Sequence, residues 1–183
     1  MKSSRRGTVD PFIVMDVMEA ARQAEDAGRS IIHMEVGQPG TPAPKAARAW
    51  LGAQLVQDDA MGYTVALGLP SLRQRIAGLY QDWYGIKLDP DRVVITPGSS
   101  GAFILAFSSL FDTGARVGIG APGYPSYRQI IKSLGLVPVD LPTSPAARLQ
   151  PVAEDFAELD LQGLLVASPA NPSGTMLDRA ALC

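Results

Sequence analysis

Four small residues, Gly98-Ser99-Ser100-Gly101, stand between a β-branched run, Val93-Val94-Ile95-Thr96, and a stretch carrying Phe103, Ile104, Phe107 and Leu110. Glycine lets the backbone approach a guest closely, and the first N–H groups of a helix have no internal partner. With the Ser100 hydroxyl as a further donor, the chemistry that suits this turn is anion capture, phosphate above all. A small-residue turn of this kind serves plain packing equally well. A second polar group, Asn171, follows the apolar run Leu164-Leu165-Val166-Ala167 in the turn Ser168-Pro169-Ala170-Asn171-Pro172-Ser173-Gly174. Proline ends the strand, and the Asn carboxamide can point back over its carboxyl end, where open α/β sheets bind ligands.

Two rival chemistries use the same residues. Gly98-x-Ser100-x-Ala102 approaches the G-x-S-x-G nucleophile elbow, which requires a histidine base, usually later in the chain. The single histidine, His33, precedes it. Gly118-Ile119-Gly120-Ala121-Pro122-Gly123 matches the G-x-G-x-x-G of an NAD-type dinucleotide site, with Asp140 at the end of the next strand. Such a site starts its helix near the second glycine, which would place Pro125 inside the first turns, where proline is poorly accommodated.

The elements that must position these groups are those of an ordinary globular chain. Its 183 residues are 46% hydrophobic and 19% charged with a net charge of −2, which gives no reason to expect nucleic-acid or anionic-membrane partners. One cysteine and one histidine exclude a disulfide framework and argue against a metal site. No apolar run reaches membrane-spanning length and no signal-peptide core follows Lys2, Arg5 and Arg6, so a cytoplasmic location is expected. Residues 1–10 read as a polar, mobile lead-in. Ile13, Val14, Val17, Met18, Ala21 and Ala24 recur at helical spacing, with Gly28 as the stop. A strand is expected at Ile31–Val36, with His33 packed on its face, and a helix from Pro44 to about Val56. A loop centred on Met61-Gly62-Tyr63 precedes a helix opened by Pro70 and ended by Gly85. Its apolar face is Leu72, Ile76, Leu79, Tyr80 and Trp83, with Arg73, Arg75 and Asp82 largely off it. Strands are expected at Val93–Thr96, Arg116–Gly120, Leu136–Asp140 and Leu164–Ala167, with helices after Gly101, near Ser126–Leu134 and around Ala153–Leu159. Alternating strand and helix from residue 93 onward indicates an α/β fold with a mostly parallel sheet.

Five stretches then occur in a telling order: Glu35-Val36-Gly37-Gln38-Pro39; Gly62-Tyr63 with Gly68-Leu69-Pro70-Ser71-Leu72-Arg73; Gly98-Ser99-Ser100-Gly101-Ala102; Ala121-Pro122-Gly123-Tyr124-Pro125-Ser126-Tyr127; and Ser168–Gly174. Over about residues 10–180 the chain resembles the N-terminal half of a class I/II aminotransferase, a fold-type-I pyridoxal-phosphate enzyme. The resemblance implies a three-layer α/β/α large domain, here incomplete, over residues 44–183, and an N-terminal arm or small-domain segment over residues 1–43. It implies that Ser99 and Ser100 hold the cofactor phosphate, that Tyr124 stacks on the pyridine ring and that Asn171 binds the cofactor's phenolic oxygen. It further implies that Gly37 receives the substrate carboxylate and that Tyr63 reaches the cofactor phosphate of a partner in a homodimer. Amino acids and 2-oxo acids are the implied substrates.

The departures from that pattern matter as much. The family's aspartate for the pyridine nitrogen, its Schiff-base lysine and its substrate-binding arginine have no counterpart here; the lysines present are Lys2, Lys45, Lys87 and Lys132, none in the family's context. No catalytic residue is therefore expected among these 183, and the fragment alone is expected to be inactive. Val93–Thr96 is expected to lack neighbouring strands, leaving unpaired edges. A non-catalytic phosphate-binding or dimerising remnant is the alternative, and C–S lyase or synthase chemistry is open to the complete enzyme.

Overall fold

A computed structural model describes residues 4–57 and 62–182; Lys2, Met61 and Cys183 lie outside them. The chain forms two compact units, Val14–Thr96 and a second made of Met1–Ile13 with Pro97–Cys183.

The first unit carries three helices: α1 (Ile13–Asp26), α2 (Lys45–Leu55) and α3 (Pro70–Tyr84). Val14, Met18, Ala21 and Ala24 form the half-buried line of α1, while Ile13 and Val17 are exposed. Gly28, at φ +83, ends that helix as the Arg29 N–H donates back to the Ala24 carbonyl at 3.0 Å. Helix α3 opens with Pro70 in its first turn and closes on Gly85 at φ 67.

Three expectations fail in this unit. Ile31–Val36, which bends at Glu35 and Val36, and Val93–Thr96 are irregular segments that belong to no sheet among the described residues. A β-branched composition favours the extended backbone, but a strand exists only where another backbone accepts its ladder. For Val93–Thr96, the Ile95 N–H finds the Leu67 carbonyl at 3.0 Å instead. The third correction is the buried face of α3, which is Arg73 and Ala77, while Leu72, Tyr80 and Trp83 are exposed. The Arg73 guanidinium donates to Gly68 O at 3.3 Å, Pro90 O at 3.1 Å and Asp91 Oδ1 at 2.9 Å. With its head group paired, the stem can be buried like an apolar side chain.

The second unit holds the sheet. Its elements are α4 (Gly98–Leu110), β1 (Arg116–Ala121), α5 (Pro125–Ser133), β2 (Val137–Pro142), β3 (Gly163–Leu165) and the short α6 (Arg179–Leu182). The strands run parallel in the order β2-β1-β3, with Ile119 beside Asp140 on one side and Leu165 on the other. Central β1 sends Val117 and Ile119 into a cluster with Phe107 of α4, Ile130 and Ile131 of α5, and Leu136. On its other face, Gly118 lies against Leu161, Leu164 and Leu141, so the connection after β2 covers that side. The helix expected around Ala153–Leu159 contracts to a 3-10 turn over Ala153–Asp155. The lead-in is tied down: Arg5–Gly7 forms a 3-10 turn, and Lys132 Nζ donates to Asp10 Oδ2 at 2.5 Å. That bond holds the Asp10 carboxyl below its ordinary value.

Candidate functional site

Strands β1 and β3 end together, and the loops leaving them enclose a cavity of about 30 Å3 lined by Gly120, Gly123, Tyr127, Gln150, Ala167 and Asn171. A second depression of about 60 Å3 lies along the same loop between Gly120, Gly123, Tyr124 and Arg128. Tyr124 and Asn171 thus flank one loop at the carboxyl end of the sheet. Close approach requires glycine in that loop, since a Cβ at position 123 would lie 2.6 Å from the Gly120 carbonyl oxygen. Helix α5 begins at Pro125, beyond this loop, so the second glycine does not start a helix as a dinucleotide site demands. Asp140 is engaged by Arg128 in an ion pair.

The turn that presents Asn171 is braced from a direction the sequence does not advertise. Gln150, 4% exposed, donates its carboxamide to the carbonyls of Thr175 at 2.7 Å and Ala167 at 3.3 Å. The Ala170 N–H donates to Thr175 O at 2.8 Å, the Gly174 N–H to Ala170 O at 2.7 Å, and the Leu177 N–H to the Ser168 hydroxyl at 3.0 Å. The Asn171 side chain itself is exposed. A glutamine in a polar connection carries no signal of such a role. Tyr127 was legible as the residue one helical turn after Tyr124, and its ring meets Tyr124 edge-on at 5.4 Å.

Ser99 and Ser100 sit exposed in the first turn of α4. Pro97 stands at its N-cap position and lends no side-chain hydrogen bond, and the first turn holds no acidic residue. Its start requires glycine, because Gly98 has φ +76, a conformation that costs other residues strain. One turn below the serines, Phe103 packs edge-on against Tyr127 at 5.2 Å. An aromatic chain Phe103–Tyr127–Tyr124 therefore connects the amino end of α4 to the loop after β1, and Phe12 meets Tyr124 at 6.1 Å from the lead-in.

Gly37 and Tyr63 belong to the other unit. Tyr63 is fully exposed, and a Cβ added at Gly37 would meet nothing within 4 Å. His33, expected on a strand face, instead lies between two carboxylates: Nδ1 is 2.7 Å from Glu35 Oε1 and Nε2 is 2.9 Å from Glu25 Oε1. The Glu35 bond, followed by the Glu25 bond, raises its pKa to about 9 and so favours the imidazolium, while Glu35 is lowered in turn. The pair borders a cleft of about 630 Å3 that also touches Met18, Arg22, Gln38 and Gly40.

Residues 29–183 match the sequence model of the family described as aminotransferase class I and II. The chain is 48% identical over 174 residues to a valine–pyruvate aminotransferase of Mycobacterium tuberculosis, covering 94% of this chain and 45% of that protein. It is 33% identical over 181 residues to a (5-formylfuran-3-yl)methyl phosphate transaminase of Methanocaldococcus jannaschii, covering 98% of this chain and 47% of the other. The crystal structure of an aminotransferase from Mycobacterium tuberculosis superposes with a TM-score of 0.92 at 46% identity, over 100% of this chain and 47% of that one. The chain thus spans about half the length of the relatives it matches.

Proposed function

The chain belongs to the class I and II aminotransferases, and from that premise we propose that it contributes part of an active site passing an amino group from an amino acid to a 2-oxo acid. Enzymes of this class depend on pyridoxal phosphate, which supplies the electron sink when bound. The observation that carries the proposal is the amino end of α4: a helix start with two exposed serines and no acidic residue in its first turn is a donor set suited to a phosphate dianion. Ser99 and Ser100 would hold that phosphate through backbone N–H groups and the Ser100 hydroxyl. Tyr124 would offer its ring face to the pyridine, with Phe12 and Tyr127 fixing the ring edge-on. Asn171, presented by the braced turn, would donate to the phenolic oxygen and keep the ring in register.

Gly37, with open space where a side chain would stand, would receive the substrate carboxylate. Tyr63 would act across a homodimer, its full exposure leaving the hydroxyl available to a second subunit. Residues 1–43 would serve as arm and small-domain segment, and residues 44–183 as part of the large domain. A cytoplasmic setting belongs to the same reading; among the described residues, no helix is long and apolar enough to cross a membrane. The likeness to a valine–pyruvate enzyme makes L-valine and pyruvate the first pair to assay. The 183-residue chain alone would transfer no amino group, since of its lysines Lys132 is held by Asp10, and neither Lys45 nor Lys87 stands in a setting like that of the family's lysine.

The test is pyridoxal-phosphate affinity in the protein completed to the length of its relatives. Ser100→Ala removes one charge-assisted donor and should weaken binding by about 1.5–3 kcal/mol, measured by absorbance titration. Unchanged affinity would remove the phosphate assignment.

A further inference from the structure

Residues 31–36 lead into Gly37 without the support of a sheet. Among the described residues, no backbone–backbone hydrogen bond ties residues 31–40 to a neighbouring element. What does tie them is a side chain. His33 reaches Glu25 near the end of α1 with one ring nitrogen and Glu35 with the other. Within the described residues, the ion-paired imidazole therefore fastens the segment to α1.

We infer that His33 is a positioning residue for the substrate-carboxylate loop that begins at Gly37, holding it to α1 through Glu25 and neutralising Glu35 two residues before it. The inference rests on the proposal that Gly37 receives that carboxylate. Two physical consequences follow from the geometry. Only the imidazolium can donate from both nitrogens at once, so the double bridge needs the charged ring. The Glu35 side chain is only 11% exposed, so removing its partner leaves a poorly solvated carboxylate beside the place where a second carboxylate must bind. The other charged groups on that cleft, Glu19 and Arg22, are paired with each other at 2.7 Å, and Arg22 also with Asp26 at 2.5 Å. Among the described residues, the cation paired with Glu35 is His33.

The deciding experiment uses the completed, pyridoxal-phosphate-loaded protein with L-valine as substrate and isovalerate, its carboxylate without an amino group, as competitive probe. His33→Gln should raise the KM for L-valine and the inhibition constant of isovalerate together, by about tenfold, with kcat and cofactor content held within about twofold. His33→Arg, which can still fork to two carboxylates, should recover most of the loss. In the wild type, isovalerate binding should weaken as the pH rises through the His33 titration, and in His33→Arg it should not. A second readout needs no turnover: the histidine nitrogen-15 resonances that vanish in His33→Gln are those of His33, and they report both of its ring bonds directly. An unchanged isovalerate constant in His33→Gln, or a His33 titrating at its ordinary value, overturns the positioning role alone. A wild-type protein that binds no pyridoxal phosphate and transfers no amino group overturns the site reading on which the role depends.

Discussion

The Gln150 carboxamide donates to the Thr175 carbonyl at 2.7 Å, tying the connection after β2 to the far end of the turn that carries Asn171. With its 3.3 Å bond to Ala167, the same nitrogen closes the turn at both ends, so the position of Asn171 depends on a residue twenty-one places earlier. Gln150→Ala takes this donor from the partly buried carbonyls of Ala167 and Thr175, the second of which keeps the Ala170 N–H, and should cost about 1 kcal/mol of stability by denaturant unfolding. The same variant in the completed protein should loosen cofactor binding; an unchanged midpoint with unchanged affinity would show that the backbone bonds of the turn suffice.

Arg73 is expected to matter more than its place on a surface helix suggests. It is 8% exposed and satisfies two carbonyls and the Asp91 carboxylate. Arg73→Met keeps the stem but abandons those acceptors, and should destabilise by about 1–3 kcal/mol. Arg73→Lys should recover only part of this, because an ammonium cannot reproduce the fork. Equal stability of Arg73→Met and wild type would mean that water takes over all three acceptors.

Stability should depend on pH through His33. Its folded pKa, about 9, lies above the ordinary 6.5, so the folded state binds the proton more tightly than the unfolded one. The contribution is complete below about pH 6.5, declines between 6.5 and 9, and is absent above. His33→Gln should remove this decline from a plot of unfolding midpoint against pH. A slope in that window that survives the substitution would trace the effect to another group.

Subunit mixing tests Tyr63. In the completed protein, combining Tyr63→Phe subunits with subunits disabled at their own catalytic lysine should restore part of the activity through hybrid dimers. Hybrids that form and remain inactive would show that Tyr63 acts within its own subunit or not at all.

What could be read from the sequence is what neighbouring residues decide among themselves. Gly28 and Gly85 end helices because few other residues accept positive φ, and Pro70 begins one because proline suits a first turn. Short apolar runs at Arg116–Gly120 and Leu136–Asp140 anticipate β1 and β2, and the ordered motifs from Glu35 to Gly174 anticipate the family. Tertiary structure decided whatever needs a partner distant in the chain. Ile31–Val36 and Val93–Thr96 have strand composition, but among the described residues neither joins a sheet. Arg73 is buried because Gly68, Pro90 and Asp91 converge on its head group, and Gln150 because Ala167 and Thr175 do. His33 stays exposed, and became an ion-paired bridge because the fold sets Glu25 and Glu35 on either side of its ring. The tendency of a polar side chain is to stay in water, and it is overturned only when the fold brings enough acceptors together to replace that water.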